Sequence, residues 1–397
     1  MTKKHDSTPE VPKCSFRSPR SSDWRSLVAP ESEDDAGRNR TEQACEDLNQ
    51  MLLASLKMEH VVVLAGSGCS LGVGGPSMAD LWNEIVGESP SEDVKTAATT
   101  VGFDLSSTNI EAFLSHIEAF LFLREDEPVR SLLTSAKERI VKRCTAFLET
   151  AGLKAHEMFL HRLSRRRSRD RRLKLFTTNY DLCFERSISA IGGVAIDGFS
   201  FMAPRRYDPR YFDYDIVRRP RSGDSHGNFL EGVILLHKLH GSVNWAVDSD
   251  GIHEVANPSP EKVCLIYPAS GKYQQSYSQP FLESISQYLA TIREPNSCVL
   301  VVGFGFNDNH LSEPLLSAVR SNPHLRLIVV DPGLEAKSAA GKLNLHQSQF
   351  FDLSSRGEDV WFINASFDEF AERIPDLKSL TPAERLMKAV QGIQSQE

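Results

Sequence analysis

Apolar residues in this chain cluster into short continuous runs, and the stretches between them carry apolar residues at helical spacing. The runs include "HVVVLA", "LKLF", "GVILLHKLHGS", "VCLIYP", "CVLVVGFGF" and "LRLIVVDP". Continuous apolarity over so few residues predicts strands buried on both faces. Between them, "TEQACEDLNQMLLASLKM" (41–58), "SMADLWNEIVG", "LCFERSISAIG", "PFLESISQYLATIRE" and "NDNHLSEPLLSAVRSN" read as helices, the second with Ser77 placed to cap it. Strands alternating with helices predict an α/β fold, a parallel sheet with a helical layer on each side. Residues 88 to 160 are expected to form a helical insertion, and 198 to 232 an irregular one rich in Arg and Tyr. Residues 1–40 hold few large apolar side chains and are expected to be disordered. The folded domain then runs from 41 to 375, leaving 376–397 as a tail.

Composition narrows the class. The chain has 397 residues, 40% hydrophobic and 25% charged, as in globular proteins. Its apolar runs are far short of the roughly 20 residues that cross a bilayer, and the N-terminus lacks the apolar core of a secretory signal. A cytoplasmic protein without a membrane role is expected. Seven scattered cysteines with no CxxC pair argue against a disulfide framework and against a zinc ribbon. A net charge of −8 makes direct nucleic-acid binding an unlikely property. The local exception, "RLSRRRSRDRRLK" (162–174), reads as a solvated loop in preference to a phosphate-binding patch.

In an open parallel sheet, ligands bind beyond the carboxyl ends of the strands. Four polar clusters fall there: Gly66-Ser67-Gly68-Cys69-Ser70, Thr178-Asn179-Tyr180-Asp181, His240-Gly241-Ser242 and Gly305-Phe306-Asn307-Asp308. Each has a plain structural explanation. The glycines can serve only the turn, Asn179 and Asp308 can cap helices, Asp181 can favour a helix dipole, and His240 can be a core histidine. Each also has a chemical one. A glycine turn before a helix can cradle a pyrophosphate, an amide can orient a water, and a histidine can move a proton. The placement of all four at one sheet edge favours a binding site.

In this order and spacing, "GSGCS", "TTNYD", "KLHGS" and "GFGFND" resemble the sirtuin family, and more closely the divergent sirtuin-like proteins of bacterial antiphage defence. The resemblance spans about residues 58 to 370 and implies a three-layer, Rossmann-like sheet with NAD+ across the strand ends. It further implies that Gly66, Ser67, Gly68 and Ser70 hold the phosphates and that Asp308 lies near the adenosine half. Pro76, Thr178, Gly303, Gly305 and Asn307 would add cofactor contacts. Asn179 would contact the nicotinamide ribose and place the nucleophile, Asp181 would orient the carboxamide, and His240 would act as base. The four-cysteine zinc module of deacylating sirtuins is missing, since Cys264 is the only cysteine in 241–297. The implied activity is therefore NAD+ hydrolysis to nicotinamide and ADP-ribose, without a metal, as a defence effector that depletes NAD. A regulatory module that binds NAD or ADP-ribose without turnover, and an NAD-dependent deacylase, are the alternatives. The domain layout implies control by homo-oligomerisation or by a partner such as a HerA-type DNA-translocating ATPase.

Overall fold

The computed structural model describes residues 14–29, 35–166, 170–219, 228–265 and 280–377. Seven parallel strands make the centre: β3 (His60–Ala65), β4 (Leu173–Thr177), β5 (Val194–Ile196), β8 (Val233–Lys238), β12 (Ser297–Val302), β13 (Leu325–Val330) and β14 (Val360–Asn364). β1 (Ser15–Arg17) and β2 (Arg25–Ser26) extend one edge antiparallel, in the order β2-β1-β14-β13-β12-β3-β4-β8-β5.

Alternate residues of each strand face opposite layers, so both layers need apolar side chains. Val61 and Val63 pack with α1 (Asp35–Leu56), α7 (Lys154–Ser164), α8 (Cys183–Ala190) and α13 (Phe367–Arg373) through residues such as Leu48, Phe159, Phe184 and Phe370. Val62 and Leu64 face the other layer, built by α9 (Phe281–Thr291), α10 (Asn309–Ser321), α11 (Leu334–Ala339) and α12 (Leu345–Arg356). This is the three-layer parallel α/β architecture that the apolar runs predict.

The expected helical insertion is present. After the short α2 (Gly68–Leu71), helices α3 (Met78–Ile85), α4 (Glu92–Val101), α5 (Ile110–Leu123) and α6 (Glu127–Ala146) form a module. Its own core holds Trp82, Phe113, Leu114 and Ile140, and it packs against Tyr180, in the loop after β4, and against Val243 and Leu265. Ser77 caps α3 as expected, in a reciprocal capping box with Asp80.

Three expectations are corrected. Part of the supposedly disordered 1–40 segment is ordered: β1 pairs with β14, Cys14 and Phe16 are buried, and α1 begins at Asp35. A single buried aromatic, with Cys14 two residues before it, suffices for a strand when the sheet edge supplies the rest of the pairing. The run "GVILLHKLHGS" is two strands, not one. It breaks at His240, and Gly241 opens β9 (Gly241–Asp248), which pairs with β10 (Gly251–Glu254) and β11 (Val263–Leu265) in a separate antiparallel sheet. Gly241 has φ +86°, and a Cβ there would lie 2.1 Å from the Cys264 carbonyl oxygen, so the bend requires glycine.

Among the described residues, the basic run is not simply a solvated loop, and residues 167–169 lie outside them. Arg162 donates to the carbonyls of Ala371, Glu372 and Ile374, at the end of α13. Arg166 is buried and donates to the carbonyls of Leu56, Met58, Glu59 and Arg171. Arg172 grips Asp215 and the Leu230 carbonyl.

The irregular insertion also acquires a frame. Phe199, Trp245, Ile252, Cys264 and Phe281 fill the interior of the small sheet, with Tyr207 against them. Arg205 ties Asp197 to Glu254 across it. β6 (Val217–Arg218) and β7 (Asn228–Phe229) form a separate ribbon. The first 13 residues and the tail beyond 377 lie outside the described residues.

Candidate active site

Chain order reverses between β3 and β12. From β3 the sheet grows to β4 and β8 on one side, and from β12 to β13 and β14 on the other. Such a switch point opens a crevice at the carboxyl ends of its strands. The crevice here is a small cleft with a cavity volume of about 90 Å3, open to solvent. The loops after β3, β4, β8 and β12 form its floor, and α3, α5 and α6 of the helical module overlie it through Met78, Leu81, Glu111 and Cys144.

Backbone bonds lock the four loops together. The Gly66 and Gly68 amides donate to the carbonyls of Val302 and Gly303, Thr178 N to Ala65, and Leu239 N to Thr177. A Cβ on Gly66 would come within 2.5 Å of the Gly303 carbonyl oxygen. The first glycine turn is thus explained by the close approach of two loops. Its Cys69 and Ser70 amides are also engaged, by the carbonyls of Gly66 and Ser67. A different stretch has unpaired donors. The amides of Phe304, Gly305, Phe306 and Asn307 make no hydrogen bond among the described residues, and α10 begins directly afterwards. Phe306 is held at φ +58°, unusual for a side-chain-bearing residue, with its carbonyl accepting from His346 and the neighbouring Gly305 carbonyl accepting from Asn344.

Asn179, Asp181 and Ser70 form a buried relay. Ser70 Oγ donates to Asp181 Oδ2 at 2.7 Å and accepts from Asn179 Nδ2 at 3.1 Å. A hydroxyl has one proton, so donating it to the carboxylate fixes the amide with its NH2 toward Ser70. Asn179 Oδ1 therefore points away, and it is buried with no partner. Asp181 Oδ1 accepts from the Cys183 amide, and Lys238 Nζ donates to the Asp181 carbonyl. Asn179 caps no helix, since Leu182 holds the N-cap position of α8.

His240 is almost wholly buried, with Nε2 3.4 Å from His310 Nε2. Burial pushes the His240 imidazole well below its usual range, and His310 adds to the effect. Burial alone lowers His310 to about 4. Both rings are neutral at pH 7, so His240 is available as a proton acceptor. Asp308 holds the N-cap position of α10 yet makes no capping bond. It lines the cleft with Glu111; burial lifts Asp308 to about 6, and burial together with Asp308 raises Glu111 well above the usual carboxyl range.

The structure gathers Gly66, Ser67, Pro76, Thr178, Asn179, Asp181, His240, Gly303, Gly305, Asn307 and Asp308 around this one cleft; Gly68 and Ser70 do not line it, though Ser70 bonds to Asn179 and Asp181, which do. Sequence reasoning missed Glu111 and His310. Glu111 reads as a first-turn acid favouring the dipole of α5, and only the packing of the module brings it here. His310 lies two residues beyond a residue already singled out, and that proximity was the available signal. Among the described residues, no group of three or more metal-ligating side chains occurs.

Residues 173–351, under half of the chain, match a family model described as a SIR2-like domain. No curated protein matches the chain. Among solved structures, a Sir2 homologue in complex with NAD aligns at 12% identity and a TM-score of 0.44, covering 82% of this chain and 91% of that one. A mutant Sir2 homologue in complex with 2′-O-acetyl-ADP-ribose aligns at 14% identity and a TM-score of 0.42, covering 84% and 98%.

Proposed function

We propose that the cleft hydrolyses NAD+ to nicotinamide and ADP-ribose. The observation that carries the proposal is Asn179 Oδ1, a buried acceptor with no partner, fixed by Ser70 in a cleft that also holds a neutral His240. An unpaired buried acceptor costs about 1–3 kcal/mol, so such a group points to a ligand or water that fills it. The SIR2-like match over residues 173–351 supports NAD as that ligand.

The chemistry asks little of the protein beyond placement and one base. The bond between C1′ of the ribose and the nicotinamide nitrogen breaks, and its electron pair neutralises the pyridinium. Positive charge develops on the ribose, a water oxygen bonds to C1′, and the water proton leaves. Asn179 Oδ1 accepts a hydrogen bond from the water or a ribose hydroxyl and so orients it. Neutral His240 takes the proton. Asp181, with Ser70 and the Cys183 amide on its two oxygens, keeps Asn179 in place and so acts mainly as a positioning residue. The pyrophosphate is assigned to the amides of the cleft-lining Phe304, Gly305 and Asn307 and to the start of α10, where donors and the helix dipole favour negative charge. The first glycine turn, Gly66–Ser70, instead shapes the cleft floor.

The sequence resemblance to antiphage proteins supports a cellular role in NAD depletion under the control of self-assembly or a partner ATPase. Chromatography of NAD incubated with the purified protein tests the activity directly. The parent is expected to release nicotinamide and ADP-ribose in equal amounts, and Asn179→Ala and His240→Ala to release neither. Equal rates from parent and variants would overturn the assignment. Binding of ADP-ribose without any nicotinamide release, with the ATPase present or absent, would make the protein a sensor of the dinucleotide.

A further inference from the structure

We infer that Asn344 and His346, at the start of α12, are positioning residues for the ligand's phosphates, although neither lines the cleft. The inference rests on the proposed reading of the cleft and adds the two side chains that hold its anion-binding loop in shape.

The loop after β12 is gripped from outside the cleft. Asn344 Nδ2 donates to the Gly305 carbonyl at 2.7 Å, and His346 Nδ1 donates to the Phe306 carbonyl at 3.2 Å. A carbonyl oxygen only accepts, so the second bond fixes a ring proton on Nδ1. In a planar trans peptide, the C=O and the N–H of the next residue point in opposite directions. The two peptide bonds that follow Gly305 and Phe306 are trans. Drawing both carbonyls toward α12 therefore turns the Phe306 and Asn307 amides away from it. Neither amide has a partner among the described residues, and Asn307 lines the cleft with Gly305 and Asp308.

The loop needs this support. Phe306 sits at φ +58°, a conformation that disfavours a residue with a side chain. Its buried ring packs on Phe304 and on Phe350 of α12, with centroids 5.3 and 5.2 Å away. α12 thus holds this residue both by its ring and by its carbonyl. The grip is itself rigid. Asn344 caps α12, its Oδ1 accepting from the Gln347 amide while Gln347 Oε1 accepts from the Asn344 amide. With Oδ1 engaged there, Nδ2 is left to face the loop. His346 is buried. The buried, unpartnered Asn179 Oδ1 marks the same cleft as a ligand site independently of the loop.

Three variants of the full chain separate this role from helix stability. Asn344→Asp keeps an equally good N-cap but loses the donor to Gly305. His346→Leu loses the donor to Phe306, and His346→Asn keeps an amide donor near the Nδ1 position. Calorimetry with ADP-ribose and with inorganic pyrophosphate reads binding, and steady-state kinetics on NAD separates KM from kcat. Asn344→Asp and His346→Leu are expected to weaken both ligands and to raise KM by about tenfold, as lost hydrogen bonds to a charged group do. Their kcat is expected to change by less than about threefold, because uniform binding and not the transition state is touched. His346→Asn is expected to recover most of the lost affinity. Asn344→Asp with parent-like circular dichroism and parent affinities overturns the inference, as does a fall in kcat with KM and both affinities unchanged. Should His346→Leu fail to fold, Asn344→Asp decides alone. If the parent binds ADP-ribose but hydrolyses no NAD, the proposed activity fails and the variants' affinities still decide the role of α12. Variants that hydrolyse NAD at the parent KM leave the activity standing and remove that role. A parent that binds neither ADP-ribose nor pyrophosphate overturns the inference, whatever its activity.

Discussion

Ser70 carries more of the site than its size suggests, because its single hydroxyl sets which way Asn179 faces. Removing it leaves Asn179 Nδ2 and Asp181 Oδ2 unpaired and lets the amide turn. Ser70→Ala is expected to lower kcat by about a hundredfold with a smaller change in KM, as a mispositioned reactive group does, in steady-state kinetics on a variant with parent-like circular dichroism. His237 makes the opposite case. It is stacked between Phe176 and Phe212, and neither ring nitrogen has a partner. Burial lowers its pKa to about 3 and that of His156, equally unpartnered, to about 4. The unfolded chain therefore binds protons below about pH 6.5 that the folded chain refuses. Stability is lost as pH falls through that window, by about 2 kcal/mol per histidine between pH 7 and pH 5. His237→Phe is expected to remove one such share, so its urea midpoint at pH 5 should fall less from its pH 7 value than the parent's. Asn179, Asp181, His240 and Asp308 were legible in the sequence because strand ends are. Glu111 and His310 were not, because a helix surface looks alike whether it faces water or a cleft.

At the scale of elements, the apolar runs identified the central strands β3, β4, β8, β12 and β13 but not β5 or β14, and helical spacing identified the module between β3 and β4. The basic run shows what composition hides. A cluster of arginines looks like a solvated surface until the helix ends around it are known. Arg166 meets the carbonyls at the end of α1, and Arg162 those at the end of α13, where unpaired carbonyls and the negative end of the dipole gather. Arg166→Ala should leave four carbonyls without this donor and cost about 3 kcal/mol, read as a lower denaturation midpoint. Salt-dependent DNA binding lost in the same variant would argue instead that the run contacts nucleic acid.

Across the whole molecule, the sheet has one edge built from far along the chain. β1 pairs with β14, and Ser15 Oγ reaches Glu335, 320 residues away in sequence. Deleting residues 14–29 is expected to leave the β14 edge unpaired and to shift the protein toward larger species in light scattering, since bare edges recruit other strands. An unchanged size distribution would show that the edge is protected by something else. The pairing also orders events in time. β1 is synthesised well before β14, which is made only after every loop of the cleft. Its β14 pairing, unlike its pairing with β2, cannot form until nearly all of the described chain has been made, so this sheet edge closes late in the life of a newborn chain.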